Sequence, residues 1–166
     1  MTSRNLHVFA ISRGGEIGGC ILSVPRLTIF GNQSPEIITC DWHSWDIDNA
    51  EAAIKIASMA REIQGLEYKC GPAIIMEDRQ ARRAIALEAM LDLLHYEKRM
   101  GDATIHFQSS ELLTNVTDNV LSKLDLYADS EAARTATRHA IVILRRARAK
   151  RSFAHELWPY PESGLP

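Results

Sequence analysis

No apolar run in this 166-residue sequence approaches the roughly 20 residues that a membrane-spanning helix needs, so we expect no membrane association. The first residues lack the apolar segment of a signal peptide, which predicts a cytoplasmic protein. Cysteine is scarce. Cys20, Cys40 and Cys70 are odd in number and widely spaced, which favours reduced core thiols over a disulfide framework or a zinc site.

A large excess of one charge is also absent, because the formal net charge is only −2. The charges are unevenly distributed, however. The stretch 134–151 holds seven basic residues and no acidic one, whereas acidic residues gather earlier, around 41–51 and 77–78. This pattern permits contact with nucleic acid without requiring it.

Internal repeats and an interdomain linker are likewise missing. An apolar content of 46% and a charged content of 24% are ordinary for a globular protein. We therefore predict one domain over residues 1–151, followed by a proline- and aromatic-containing tail, 152–166, that runs extended.

Apolar runs with strand character come first along the chain. Residues 7–12 and 18–24 flank glycines and predict a hairpin. Residues 26–31 and 36–42 predict a third strand, or a third and a fourth. Later strands are predicted at 71–78 and 103–110.

Helical periodicity takes over between these later strands. Long helices are predicted at 46–65, 79–101 and 130–151, with short helical pieces at 109–116 and 119–128. The order predicts an α/β protein, in which a mixed sheet has antiparallel first strands, then parallel ones, and helices on both faces.

The same order of elements is that of the RNase H-like superfamily, and local stretches resemble RuvC-type Holliday junction resolvases. HVFAISRGGEIGGCIL (7–22) resembles their first hairpin, and AIIMEDRQ (73–80) resembles the strand that carries their glutamate. SEAARTATRHAIVILRRA (130–147) and SSELLTNVTDNVLSKLDLY (109–127) resemble the last helix of the actinobacterial phage enzymes and the segment before it. Taken in order, the matches extend over nearly the whole chain through Arg151.

The resemblance implies hydrolysis of phosphodiesters by two divalent metals about 4 Å apart. Mg²⁺ needs oxygen ligands, so several carboxylates must converge. The family supplies an aspartate from the first strand, a glutamate from a later strand, and a histidine and an aspartate from the last helix. Carried over to this chain, the first aspartate falls on Ser12, the proline after it on Arg13, and the glutamate on Glu77.

The last helix departs from the family pattern as well. When it is aligned on Arg138-His139-Ala140, the histidine falls on Ala132 and the second aspartate on Thr135. The resemblance therefore implies a degenerate site with Glu77 as the one retained ligand, no bound metal and no cofactor. Mg²⁺ is expected only if the site is active with other ligands.

His139 and Glu16 are the candidates for replacement ligands. His139 shares a helix face with Thr135, although a histidine bonded to the backbone is the preferred interpretation, and Glu16 in the first turn is more simply solvated. Asp78 faces away from Glu77, because neighbouring strand residues point to opposite sides. The polar stretch 40–48 matches no standard zinc spacing.

Arginine marks the exposed face of the last helix. Arg134, Arg138, Arg145 and Arg148 fall in one band on a helical wheel, opposite an apolar arc. Arginine binds phosphate in a bidentate manner, so this band is a candidate surface for branched or duplex DNA. The alternative is a solvated helix whose arginines pair with nearby carboxylates.

The helix predicted at 79–101 offers a second surface. Its first turn contains Arg79, Arg82 and Arg83, which would border the site and favour an anion there. The resemblance implies that this helix contributes to a homodimer, and its apolar stripe is wide enough to serve both the core and a partner: Ala81, Ile85, Met90, Leu93 and Leu94.

Three functional hypotheses follow. The first is a phage or prophage protein with a RuvC-like fold that has lost nuclease activity and binds DNA structures or acts as an accessory. The second is an active metal-dependent junction endonuclease with substituted ligands. The third is a scaffold or inhibitor that binds another protein and no DNA, with the apolar residues of the tail as one means of docking.

Overall fold

The structure, a computed structural model, describes residues 5–66, 70–78 and 82–159, with the side chains of 66 and 82–84 excepted. Five strands form one sheet in the order β3-β2-β1-β4-β5. The strands are β1 (Asn5–Arg13), β2 (Ile17–Pro25), β3 (Thr39–Trp45), β4 (Ala73–Asp78) and β5 (Thr104–Ser109). Strands β1, β2 and β3 are antiparallel, while β4 runs parallel to both β1 and β5, which confirms the predicted mixed sheet.

Six α-helices connect and cover the strands in the described part of the chain. They are α1 (Arg26–Phe30), α2 (Asn49–Leu66), α3 (Arg82–Tyr96), α4 (Asp118–Lys123), α5 (Glu131–Ala149) and α6 (Arg151–Leu157), and a 3-10 helix spans Ser110–Asn115. Side-chain hydrogen bonds cap the starts of α2, α4 and α5: Asp48 Oδ1 accepts from Glu51 N at 2.8 Å, Thr117 Oγ1 from Val120 N at 3.4 Å, and Ser130 Oγ from Ala133 N at 3.0 Å. None of these helices is both long and apolar enough to span a bilayer.

Alternation along the strands divides the core between the two faces of the sheet. Residues such as Val8, Ala10 and Ile75 pack on one side with α5 and α6, while Phe9 and Ile74 pack on the other side with α2 and α3. The prediction of helices on both faces is confirmed.

Glycine allows α5 to approach the sheet closely. A Cβ atom at Gly18 would overlap the backbone carbonyl of Ala132, in the first turn of α5. Gly18 is the register partner of Ser12 on β1, so the start of α5 lies directly over the end of the first hairpin.

The strand predicted at 26–31 is wrong, because this segment forms helix α1. The helix is held by partners from distant sequence: Arg148 Nε donates to Thr28 O, and Arg151 Nη2 donates to Phe30 O, both at 3.1 Å. These bonds supply partners to two carbonyls of this short helix. The third strand is instead β3, which extends to Trp45.

The extended conformation predicted from residue 152 is wrong over the described part of the tail. Arg151–Leu157 is helix α6, and the side chains of Leu157 and Trp158 are fully buried. Trp158 Nε1 donates to His7 O at 3.2 Å, and Thr104 Oγ1 donates to Leu157 O at 2.8 Å. These contacts fix the helix against β1 and β5, and residues 160–166 lie outside the described part.

Candidate functional site

Three parallel strands bring polar side chains to one edge of the sheet. Ser12 lies near the end of β1, Glu77 on β4 and Gln108 on β5, with Glu77 and Gln108 in register. All three side chains lie against residues of α5. Ser12 is only 3% exposed, Glu77 2% and Gln108 1%. This edge is where the resemblance predicts a catalytic centre.

Ser12 is bonded to the backbone of helix α5. Its Oγ donates to Ala132 O at 2.9 Å, beside the close contact of the same residue with Gly18. The position at which the family carries its first aspartate is thus filled by a hydroxyl donor facing a carbonyl. A carboxylate there would set two acceptors against each other.

Glu77 is held from two sides. Its Oε2 accepts from the backbone amide of Arg13 at 3.3 Å, and its Oε1 lies 3.7 Å from His139 Nε2. The side chains of Glu77 and His139 are almost completely buried. Asp78, the next residue, is exposed, as the alternation of the strand predicted.

A chain of polar contacts continues from His139 to Arg146. Arg146 Nη1 donates to Gln108 Oε1 at 3.1 Å, and Gln108 Nε2 lies 3.0 Å from both His139 Nδ1 and His139 O. Because Oε1 of Gln108 accepts from arginine, its amide nitrogen is the donor to the imidazole. The neutral ring therefore carries its hydrogen on Nε2, which faces Glu77.

The other two helix positions contribute no carboxylate. Ala132 has no polar side chain, and Thr135 Oγ1 donates to Glu131 O at 3.1 Å. Both residues line a cleft of about 370 Å³ that also borders Ser12 and Glu16. Glu16 is exposed and its Oε2 accepts from Ser44 Oγ at 2.7 Å on β3. The structure brings His139 to Glu77, but Glu16 bonds to β3 instead.

A larger cleft of about 690 Å³ opens beside Glu77. Its lining is mainly polar: Ser110, Thr114, Thr117, Asp118, Asn119, Thr135 and Arg138. The 3-10 helix and the start of α4 provide most of this wall, and the residues they contribute are largely exposed. Hydroxyl, amide and charged groups therefore face solvent next to a buried centre.

The arginines of α5 have different roles. Arg134 Nη1 donates to Ala128 O at 2.8 Å and Asp129 O at 2.9 Å, and its guanidinium lies over the ring of Tyr127. Arg138 donates to Val116 O at 3.0 Å and forms an ion pair with Asp118.

Arg148 bonds to α1, as described above, whereas Arg145 is exposed and its guanidinium has no bonded partner among the described residues. The band predicted from the helical wheel is therefore partly occupied with fixing neighbouring loops. Arg79 lies outside the described residues, as do the side chains of Arg82 and Arg83.

Helix α3 divides its predicted apolar stripe between core and surface. Leu94 is buried and Met90 is half-buried, whereas Ile85 and Leu93 are exposed, as is Tyr96, which the prediction did not include. Ala81 lies outside the described residues. The exposed members leave an apolar surface on α3.

Sequence reasoning missed Gln108 and Arg146. The local signal for Gln108 was its place near the end of a strand, at the same level as Glu77 in a parallel pair. Arg146 was counted among basic residues, and nothing in the helix periodicity distinguished it from a surface arginine.

No family model and no curated protein matches this sequence. Solved structures do match it. RuvC of Thermus thermophilus is 10% identical with a TM-score of 0.57, over 87% of this chain and 96% of that one. The same protein in complex with Holliday junction substrate is 11% identical with a TM-score of 0.57 over the same shares.

The yeast mitochondrial Holliday junction resolvase is 15% identical with a TM-score of 0.50, over 90% of this chain and 81% of that one. At these identities the likeness concerns the fold. The chain has the RNase H-like fold of the RuvC-type resolvases, which confirms the predicted fold class.

Proposed function

We propose that this protein binds branched or duplex DNA through its RuvC-like fold and does not cut it. The observation that carries the absence of cleavage is the closed centre. Ser12 is bonded to the backbone of α5, and Glu77 is contacted by the Arg13 amide and by His139. The residues that a nuclease would direct at metal ions here contact other protein groups.

The donor set does not fit a pair of Mg²⁺ ions. Such a pair requires several oxygen ligands converging on one place, and the buried centre offers Glu77 as its carboxylate. Within the described residues, no three His, Cys, Asp or Glu side chains group closely enough to hold a metal. The imidazole of His139 lies 3.7 Å from Glu77 and is positioned through its other ring nitrogen by Gln108, so the group beside this carboxylate is a nitrogen and not a further oxygen ligand.

Support for DNA binding comes from two separate exposed surfaces, one at Arg145 and one at the cleft beside Glu77. One structure with this fold is a complex with Holliday junction substrate. In this chain Arg145 is exposed on α5, and the polar cleft beside Glu77 presents hydroxyl and amide groups of the kind that bond to phosphate oxygens. Because the net charge of the protein is −2, we expect DNA to be bound by a local basic surface and not by the overall charge. Contacts between such a surface and phosphates weaken as the salt concentration rises.

The finer parts of the proposal are the assembly and the biological setting. Ile85, Leu93 and Tyr96 expose an apolar surface on α3 that would serve a homodimer. The resemblance to phage resolvases suggests an accessory protein of a phage or prophage in the cytoplasm of the host cell.

Binding is tested with a fluorescent four-way junction and a duplex of equal length, in gels without divalent metal at low and moderate salt. We expect the junction to be retarded, with affinity falling as salt rises. Arg145→Ala should weaken binding several-fold and lower the salt slope by about one.

Arg99→Ala is the matched control, since Arg99 pairs with Glu97 beyond the end of α3, and it should leave binding unchanged. Absence of retardation at low salt, from a chain whose folding is verified by circular dichroism, would contradict the DNA-binding proposal and favour a partner that is a protein.

A further inference from the structure

Two thiols meet on the neighbouring strands β2 and β3, outside the polar network of the closed centre. Cys20 on β2 and Cys40 on β3 are both free, and their sulfur atoms lie 3.9 Å apart. In the antiparallel register Cys20 is opposite Trp42, and Leu22 is opposite Cys40. The two cysteines are therefore diagonal neighbours on the same face of the sheet.

The environments of the two sulfurs differ. Cys20 is completely buried among core residues under α5, including Ala136 and Ala140, while Cys40 is half-buried on the edge strand. The hydrogen bond from the Cys20 thiol lowers the pKa of Cys40, and the same contact, together with burial, raises the pKa of Cys20. The thiolate therefore forms on Cys40, which is also the sulfur closer to solvent.

We infer that Cys40 is a site of oxidation by peroxides and that Cys20 is its resolving thiol. The inference stands on the distance between the sulfurs and on their unequal exposure, and it does not depend on whether the protein binds DNA. The substrate class is a small hydroperoxide, with hydrogen peroxide as the simplest member.

The chemistry balances in two steps. The Cys40 thiolate attacks one peroxide oxygen, so that an S–O bond forms, the O–O bond breaks, and hydroxide leaves as water with the proton of the Cys40 thiol. Cys20 then gives up its proton and attacks the sulfenic sulfur. An S–S bond forms, the S–O bond breaks, and a second water leaves. The two thiols supply the two electrons that reduce the peroxide.

Closure of the disulfide requires a movement of the edge strand β3 towards β2. The sulfurs must contract from 3.9 Å to the bonded separation of about 2.0 Å, and β3 is an edge strand paired on one side to β2. The crosslink would join β3 to β2 beneath α5, closing a loop that contains α1.

The experiment treats the native protein with hydrogen peroxide, removes the oxidant, denatures the chain and alkylates the remaining thiols before intact-mass and peptide mass spectrometry. We expect the oxidised chain to carry one alkyl group where the untreated chain carries three, and a linked peptide pair to contain Cys20 and Cys40. A thiol reductant should restore all three.

Variants distinguish the two roles. Cys40→Ala should keep its two remaining thiols, and Cys20→Ala should leave a sulfenic acid at Cys40 that dimedone traps. The matched control is Cys70→Ala, which should form the same crosslink as the wild type.

Retention of three thiols after peroxide, with native circular dichroism, would overturn the inference, as would a crosslink that contains Cys70. The wild-type peptide map decides the question even if a variant fails to fold.

Discussion

The buried centre and the open cleft beside it are built by the same helix, yet they treat their polar groups in opposite ways. In the centre, Ser12 donates to the backbone of α5 and Gln108 bonds to the ring of His139. All three side chains are almost completely buried. In the cleft, side chains of residues 110–119 largely face solvent. The difference fits the proposed function, in which the polar groups at the strand ends bond within the protein and DNA is contacted at the exposed surface.

The largest effect on stability should come from removing the imidazole of His139 from the centre. We expect His139→Ala to lower the free energy of unfolding by about 3 kcal/mol, because the Gln108 amide loses a partner and a void opens under α5. Chemical denaturation measures the change. His95→Ala, on the exposed side of α3, should change stability by less than about 0.5 kcal/mol. Equal effects of the two substitutions would show that His139 is no structural part of the centre.

Restoring the family's first carboxylate tests whether the centre has closed. Ser12→Asp should cost about 2 kcal/mol of stability, because a buried carboxylate would face the Ala132 carbonyl, whereas Ser12→Ala should cost about 1 kcal/mol for the lost hydrogen bond. Thermal unfolding with and without Mg²⁺ gives the readout. Recovery of the Ser12→Asp variant by Mg²⁺ would mean that a metal site can be rebuilt, and that the centre is still open to cations.

A substitution in the cleft should weaken DNA binding more than it lowers the stability of the fold. Arg138 joins the cleft wall to α5 through Val116 O and Asp118. We expect Arg138→Ala to weaken junction binding by up to about tenfold, with a loss of stability of only about 1 kcal/mol. Arg138→Lys keeps the charge and should keep part of the binding. A variant that loses stability without losing affinity would remove the cleft from the proposed DNA surface.

The smallest effect concerns a buried histidine at the other end of β1. Burial lowers the pKa of His7, whose Nδ1 lies 2.7 Å from Ser23 Oγ. The folded state therefore binds a proton on His7 less readily than the unfolded state does. The contribution of neutral His7 to the stability of the fold is complete above the unfolded pKa, about 6.5, and declines as the pH falls below it.

The variant His7→Asn should flatten the loss of stability between neutral and mildly acidic pH. Denaturation midpoints at two pH values provide the measurement. A slope identical to that of the wild type would show that other groups dominate the acid response.

The sequence predicted much of the fold because most elements carry local signals. The hairpin around residues 14–16, the serine-capped α5 and the apolar β4 were each visible in a short window. Helices α1 and α6 were not visible, because distant side chains hold them: arginines of α5 and α6 bond to the carbonyls of α1, and Trp158 binds β1.

The candidate site was predicted only in part, for a related reason. Glu77 and the substituted positions Ser12, Ala132 and Thr135 followed from the resemblance alone. The network through Gln108 and Arg146 depends on how β5 packs against α5 in space, across 38 residues of sequence. No local sequence pattern predicts such a contact. That the surface residues of the protein bind DNA stays a prediction.

The most direct test of the closed centre is a cleavage assay on a labelled four-way junction with Mg²⁺ or Mn²⁺, using the wild type and Glu77→Gln side by side. We expect that neither protein cuts the junction under conditions in which the wild type retards it. Metal-dependent cutting by the wild type that disappears in Glu77→Gln would contradict the account and establish an active nuclease with unexpected ligands.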